Sequence, residues 1–358
     1  MDNAKKVLVA MSGGVDSSVT AKLLLDRGYD VTGATMHLYS NEDIGISRSK
    51  TCCSLNDVED ARYVAAKLGI DFHVFNLADE FGRRVIDHFV NTYISGGTPN
   101  PCIECNKHLK FGSFLERAEA LGFDLIATGH YALIERDAET GRYLLKRSPD
   151  RRKDQSYVLY GMTQHQLAHT LFPVGTMTKD EIRSIAAGSE LINAKKPDSQ
   201  DICFIPDGDH ARFITERAGG QPRGEIVLTD GRVIGEHKGL INYTVGQRKG
   251  IGVSWSEPLF VVDKDVAANR LVLGSLAETA RTELTADDIN LISVEKLESP
   301  IKCTAQTRYH QADAPCTVSP LDDGRVRVVF DEPHRAVCRG QAVVFYDGDI
   351  VIGGGTIE

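Results

Sequence analysis

The residue run best equipped for chemistry is Ser12-Gly13-Gly14-Val15-Asp16-Ser17-Ser18, between an apolar run at 7–11 and a helix-forming run at 19–25. That order predicts a buried strand, a glycine turn and a helix N-terminus. Two glycines let backbone approach an anion, and hydroxyls with unpaired helix N–H groups suit phosphate oxygens. Asp16 within such a turn is a candidate ligand for a phosphate-bound Mg2+. The bland alternative, a serine-capped surface turn, explains a lone Ser-Gly-Gly better than it explains the whole heptad. Neither the P-loop G-x-x-x-x-G-K-[ST] nor the dinucleotide G-x-G-x-x-G is present.

Thiols form the second reactive set. The eight cysteines are Cys52, Cys53, Cys102, Cys105, Cys203, Cys303, Cys316 and Cys338. Cys102 and Cys105 form a C-x-x-C in Thr98-Pro99-Asn100-Pro101-Cys102-Ile103-Glu104-Cys105-Asn106, read as a proline-stiffened loop joining two helices. Half a zinc site, a redox pair and part of an iron–sulfur site are all open to it. A second C-x-x-C, which a four-cysteine zinc site needs, is missing. Cys203 is a third thiol on a polar loop; alone, it would more often be a small buried hydrophobe.

At 358 residues the chain predicts two or three domains. Alternating signals follow: strand over 29–39, helix over 57–68, strand over 72–77, helices over 81–93 and 107–121, and a buried strand over 125–128 ending at Gly129-His130-Tyr131. A helical region over 156–188 closes the unit. This pattern predicts an α/β doubly wound parallel sheet, whose ligands bind beyond the strands' carboxyl ends. Past residue 207 short β segments appear around 243–245 and 259–262, and alternation from 301 onward predicts a β-barrel. The expected division is 1–207 for the α/β domain that carries the glycine turn, 208–278 for a small central β-rich domain, and 279–358 for a C-terminal β-barrel.

Composition is that of a soluble globular protein, with 42% hydrophobic and 25% charged residues. No signal peptide or membrane-length apolar run is seen, so a cytoplasmic, membrane-free protein with reduced cysteines is expected. The net charge of −9 argues against a protein coated in nucleic acid. Residues 142–153 nevertheless carry Arg142, Lys146, Arg147, Arg151, Arg152 and Lys153 against Asp150 alone. Such runs are usually solvated faces, but the contrast with the rest of the chain makes nucleic acid a serious candidate partner.

The heptad resembles the PP-loop of ATP pyrophosphatases. With T-P-N-P-x-x-x-C-N, A-T-G-H-Y, K-D-Q-S-Y, D-S-Q-x-I-C-F and Y-T-V-G-Q-R-K-G, the chain resembles the tRNA-specific 2-thiouridylase (MnmA/TrmU) family over essentially its full length. The resemblance implies an adenine-nucleotide-alpha-hydrolase-like first domain, ATP with Mg2+, and tRNA with a wobble uridine whose C2 oxygen is adenylated and then replaced by sulfur. It implies ATP contacts at Ala10, Met11, Ser12, Gly13, Gly14, Val15, Asp16, Ser17, Met36 and Gly129. Cys105 falls at the family's nucleophile and Cys203 at its persulfide-bearing cysteine. Asn100, Pro101 and Cys102 fall at the target base; His130, Lys153, Asp154, Gln155, Arg308, Tyr309 and Gln341 fall at tRNA contacts. An upstream sulfur donor is implied: a relay protein, a cysteine desulfurase or free sulfide.

Many members carry Asp where this chain has Cys102. A thiol is a poorer proton acceptor near neutrality than an activated carboxylate. For this variant the resemblance implies a [4Fe–4S] cluster on Cys102, Cys105 and Cys203, preferred here over a persulfide route. Another PP-loop adenylating ligase or amidotransferase, and a non-catalytic tRNA-binding module, are the competing readings.

Overall fold

The computed structural model describes residues 4–40, 55–196, 202–335 and 337–358. Cys52, Cys53 and most of the D-S-Q stretch lie outside the described residues. The apolar strand β1 (Lys6–Ala10) leads into helix α1 (Val15–Asp26), followed by β2 (Asp30–His37), β3 (Phe72–Asn76) and β4 (Leu125–Ala127). Strands β5 (Ala132–Arg136) and β6 (Tyr143–Arg147) form an antiparallel hairpin, and β7 (Thr170–Leu171) follows. The first sheet is parallel in the order β3-β2-β1-β4-β7, with Val7, Leu8 and Val9 wholly buried at its centre. This is the expected doubly wound arrangement, and the turns after β1 and β4 emerge side by side.

Three expectations need correction. The region read as continuous helix over 156–188 is broken into Ser156–Leu159, Gln164–Ala168 and Lys179–Gly188, with β7 between the last two. β7 is a strand because Thr170 and Leu171 pair with Ile126 and Ala127 of β4. The C-x-x-C is helical, since Asn100 accepts the Cys102 N–H at 3.1 Å and Pro101 fits the first helical turn. That helix continues through a π-helical stretch, Cys105–Ser113, into Phe114–Ala120. Residues 243–245 are not a strand; a 3-10 turn, Leu240–Asn242, precedes them.

The central unit is a four-stranded sheet of β8 (Gly224–Leu228), β9 (Val233–His237), β10 (Phe260–Asp265) and β11 (Arg270–Gly274), ordered β10-β11-β8-β9. The C-terminal strands are β12 (Ala280–Leu291), β13 (Ile301–Gln306), β14 (Ala314–Pro320), β15 (Val326–Arg335), β16 (Ala342–Asp347) and β17 (Ile350–Ile357). They run β12-β15-β14-β13-β16-β17 and close through β12–β17, forming a six-stranded barrel. Alternate inward residues Val326, Val328 and Phe330 fill it, as period-two patterning predicts. The β5–β6 hairpin adds to this sheet through the pairing of Lys146 with Ile350. Part of the N-terminal half is thereby built into the barrel's edge.

Candidate active site

The turn after β1 is shaped for close approach. Gly13 has φ +74°, and a Cβ there would lie 2.5 Å from the Asp57 carbonyl oxygen. Gly14 caps α1 without a side-chain cap, while Ser17 and Ser18 hydroxyls return to the Gly14 carbonyl. Small buried residues along α1 (Ser17, Ser18, Thr20, Ala21) seat it tightly.

Sequence reasoning missed the groups that close this turn. Asn193 Nδ2 donates to Gly13 O at 3.1 Å and to Ser18 Oγ at 2.8 Å. Lys196 Nζ reaches Gly13 O at 3.3 Å and Asp60 at 2.7 Å, and also pairs with Asp57. Burial opposes the Lys196 charge, but the hydrogen bonds it donates to Asp57 and Asp60 outweigh it and raise its pKa. Lys179 Nζ lies 2.7 and 2.8 Å from the two Asp16 oxygens, and Tyr131 OH donates to Asp16 at 2.8 Å. The proposed magnesium ligand is therefore engaged by an ammonium and a phenol. These partners stand far from Asp16 in sequence and carry no local motif.

The turn after β4 joins two halves of the site. A Cβ on Gly129 would lie 2.9 Å from Asp16 C and Ser17 N, so the chain lies directly against the start of α1. The next residue, His130, has Nδ1 2.7 Å from Thr128 Oγ1 and Nε2 3.5 Å from Lys110 Nζ on the thiol helix. An ammonium only donates, so Nε2 is the acceptor and Nδ1 carries the proton. Burial first, then the Lys110 charge, holds His130 well below its ordinary pKa, and it is neutral. Met36 is half-buried in β2 beside the same clusters.

Cys102 is exposed, yet desolvation by the surrounding protein raises its thiol pKa against the lowering field of Lys110. Cys105 is buried, and burial pushes it up to about 11, again opposed by Lys110. Lys110 thus faces both thiols and His130, another residue sequence reasoning overlooked. Half-buried Cys203 packs against the apolar cluster that contains Cys105, Phe204 and Tyr39, and Tyr39 OH donates to the Cys203 carbonyl at 2.7 Å. The three sulfurs do not all lie within 4.8 Å of one another. Their donor set, two thiols one helical turn apart and a third sharing the Cys105 cluster, fits a soft iron–sulfur group.

The loop before the thiol helix is held by the other two domains. Lys264 Nζ from β10 donates to Gly97 O at 3.2 Å, Thr98 N–H to Arg339 O at 2.7 Å, and Gln341 Nε2 to Thr98 O at 2.8 Å. Lys264 is buried, which depresses it to about 8.

The remaining residues assigned to tRNA occupy varied settings. Arg308 donates to Val245 O at 2.8 Å and to Cys338 Sγ at 2.7 Å, binding barrel to central domain. The buried Asp154 carboxylate accepts Ser148 N at 2.8 Å and Ser156 Oγ at 2.7 Å; burial raises its pKa despite these bonds. Gln155 and Tyr131 exchange two hydrogen bonds of 2.9 Å. Tyr309 borders a cavity of about 570 Å³ with Arg147, Arg151, Asp154 and Tyr157. Burial, then the Asp154 and Cys102 charges, raises Tyr309 to about 12.

The basic run is not a free cationic face. Lys146 pairs with Glu135 at 2.9 Å, Arg147 with Asp313 at 2.9 Å, and Arg151 with Asp349. Arg147 also stacks 3.6 Å from the Tyr346 ring centroid. Arg152 is 92% exposed, with Asp150 3.9 Å away.

Three family profiles match in succession: a tRNA methyl transferase HUP domain over residues 5–207, a tRNA methyl transferase PRC-barrel domain over 211–275, and an aminomethyltransferase beta-barrel domain over 281–357. The chain is 53% identical over 355 residues to the tRNA-specific 2-thiouridylase MnmA of Clostridium botulinum strain Alaska E43, covering 99% of this chain and 98% of the relative. The chain belongs to the tRNA-specific 2-thiouridylase family. The Clostridioides difficile 2-thiouridylase is 48% identical over 355 residues, again spanning 99% of this chain and 98% of its own. Among solved structures, the U34-tRNA thiolase NcsA of Methanococcus maripaludis with its [4Fe-4S] cluster aligns at TM-score 0.33 and 17% identity, covering 60% of this chain and 68% of that one. No helix among the described residues is long and apolar enough to cross a membrane.

Proposed function

We propose that this chain converts the wobble uridine of tRNA to 2-thiouridine, consuming ATP and releasing AMP and pyrophosphate. The observation that carries the reading is the Gly129–His130 pair: one residue lies against the PP-loop helix, and its neighbour meets Lys110 of the thiol helix. These contacts support a reading in which nucleotide and sulfur chemistry are adjacent. Domain 1–207 supplies both, and domains 208–278 and 279–358 hold the target-base loop and extend the tRNA surface.

The uridine O2 attacks the α-phosphate of ATP, and pyrophosphate leaves. The PP-loop N–H groups of α1, with Ser12, Ser17 and Lys196, hold the phosphates. Asp16 would hold Mg2+, which when bound would supply charge to the phosphates, and Lys179 stands beside Asp16 as a positive charge facing the same turn. Sulfur next bonds to C2 and AMP departs with the former O2. Cys102, Cys105 and Cys203 would hold a [4Fe–4S] cluster, which when bound supplies an open iron position for sulfide. Lys110 offsets the thiolates' negative charge, and neutral His130 orients Lys110.

The second reading places a persulfide on Cys203, favoured by the shared packing of Cys105 and Cys203. The terminal sulfur bonds to C2, and the Cys105 thiolate attacks Cys203 Sγ, breaking its S–S bond. The resulting Cys105–Cys203 disulfide requires an external dithiol to return two electrons.

The test is tRNA-dependent turnover by anaerobic protein, scored for AMP, pyrophosphate and 2-thiouridine together. Equal nucleotide cleavage with tRNA lacking a wobble uridine would discard this reading for a different adenylating ligase. Tight tRNA binding without any nucleotide cleavage would favour the non-catalytic module.

A further inference from the structure

Away from the thiols and the PP-loop, three side chains converge at the far side of the first domain. Glu119 comes from the helix Phe114–Ala120, His165 from Gln164–Ala168, and His169 from the residue after that helix. One potential ligand atom from each lies within 4.8 Å of the other two, the only such trio of His, Cys, Asp or Glu among the described residues. His165 Nε2 is 2.7 Å from Glu119 Oε1, and the two imidazole centroids are 4.4 Å apart. We propose that Glu119, His165 and His169 form a binding site for a borderline transition-metal dication, with zinc the best match.

The tautomers support this assignment. His169 Nδ1 lies 2.8 Å from the backbone oxygen of His165. A carbonyl only accepts, so Nδ1 carries the proton and the Nε2 lone pair is available. A backbone hydrogen bond on one imidazole nitrogen is the usual way a metal-bound histidine is oriented and made more basic. His165 donates its Nε2 proton to Glu119, and a dication bound between them takes that proton's place. His165 lies in the short helix and His169 caps its end, with their rings side by side; two imidazoles with one carboxylate suit zinc, leaving a fourth position for water. A set without thiolate is wrong for iron–sulfur or Cu(I), and imidazole disfavours Mg2+ and Ca2+.

The site also has a structural consequence. The His169 carbonyl accepts the Ile126 N–H at 2.9 Å, at the entry to β7. β7 pairs through Thr170 and Leu171 alone. A metal bridging Glu119 to the histidines would cross-link the helix Phe114–Ala120 to the segment that starts this short edge strand. Metal bound only by the native state stabilises it.

The experiment is equilibrium dialysis of the full-length protein against Zn2+ with metal analysis, comparing wild type with His165→Ala, His169→Ala and Glu119→Gln. Zinc held by thiols is separated by repeating the set in a Cys102→Ser, Cys105→Ser, Cys203→Ser background. The expected result is one zinc equivalent in that background, with binding at least about tenfold weaker after loss of either histidine. Zinc should also raise the melting temperature of wild type and not of His169→Ala. Unchanged zinc content and affinity in both histidine variants, confirmed folded by circular dichroism, would overturn the site. Thiolation activity is independent of this outcome.

Discussion

Gln341 Nε2 donates to the Thr98 carbonyl at 2.8 Å, so the C-terminal barrel grips the loop that leads into the cysteine helix. Replacing Gln341 with Ala removes this bond and the weaker 3.4 Å contact to Pro99 O. Stability should fall by about 1 kcal/mol, the usual worth of such a hydrogen bond. Thiolation should fall much further than ATP binding, because the loop is held by the barrel and the PP-loop is not. Parallel measurement of melting temperature, ATP affinity and 2-thiouridine yield checks this; a proportional loss of all three contradicts it.

Asp16→Asn should abolish pyrophosphate release while the fold survives. An amide is a weak magnesium ligand, and it removes the Asp16 carboxylate from the largely buried Lys179 ammonium. Lys179→Met should impair the same step for a different reason, by removing positive charge from the phosphate turn. Wild-type pyrophosphate release by a folded Asp16→Asn protein would sink the assignment.

The cysteine variants separate the two sulfur routes. Cys105→Ala and Cys203→Ala should each stop thiolation and leave ATP and tRNA bound. With a cluster, Cys102→Ala should also lose iron and sulfide, because two thiolates hold a cubane poorly. With a persulfide, that variant keeps appreciable activity and no less iron than wild type. Iron, sulfide and 2-thiouridine must be quantified on the same anaerobic samples. A fully active wild type without iron excludes the cluster.

Thiol reactivity should follow the buried state of Cys105. With its pKa near 11, the thiolate is a small minority at pH 7, roughly one molecule in ten thousand. Alkylation of Cys105 in the metal-free protein should therefore rise about tenfold per pH unit from pH 7 to pH 10. Lys110→Met should slow it further, since the ammonium field opposes the upward shift. Peptide mapping of labelled protein reads both effects, and a plateau below pH 9 would contradict them.

Arg152→Ala should weaken tRNA binding and reduce the log–log salt slope by roughly 0.7 to 0.9, one phosphate contact. Arg151→Ala should do less, because Arg151 already pairs with Asp349. Fluorescence titrations of tRNA at several salt concentrations distinguish the two. Equal slopes for wild type and Arg152→Ala would leave the run a solvated face.

Much of this protein was legible in sequence because its strongest signals are local. The strand–glycine turn–helix order at residues 7–25 needs only hydrophobic periodicity and Gly13's freedom at positive φ, and the alternation after 301 foretold the barrel. What stayed hidden depends on pairing across long stretches of chain. Thr170 and Leu171 are too few to show a period, and only the free edge of β4 makes them a strand. Pro101 reads equally as loop or first helical turn, and the Asn100 cap decides for the helix. The charges of residues 142–153 were plain in sequence, but not that Asp313 and Asp349 would neutralise Arg147 and Arg151. Lys179 and Lys196 reach the turn after β1 from segments that follow β7, and Lys110 meets His130 of the turn after β4, contacts that no local pattern shows. The sequence alone marked the family and the residues equipped for chemistry; tertiary structure decided which charges surround them, since charge–charge energies depend on separation and burial rather than on order along the chain.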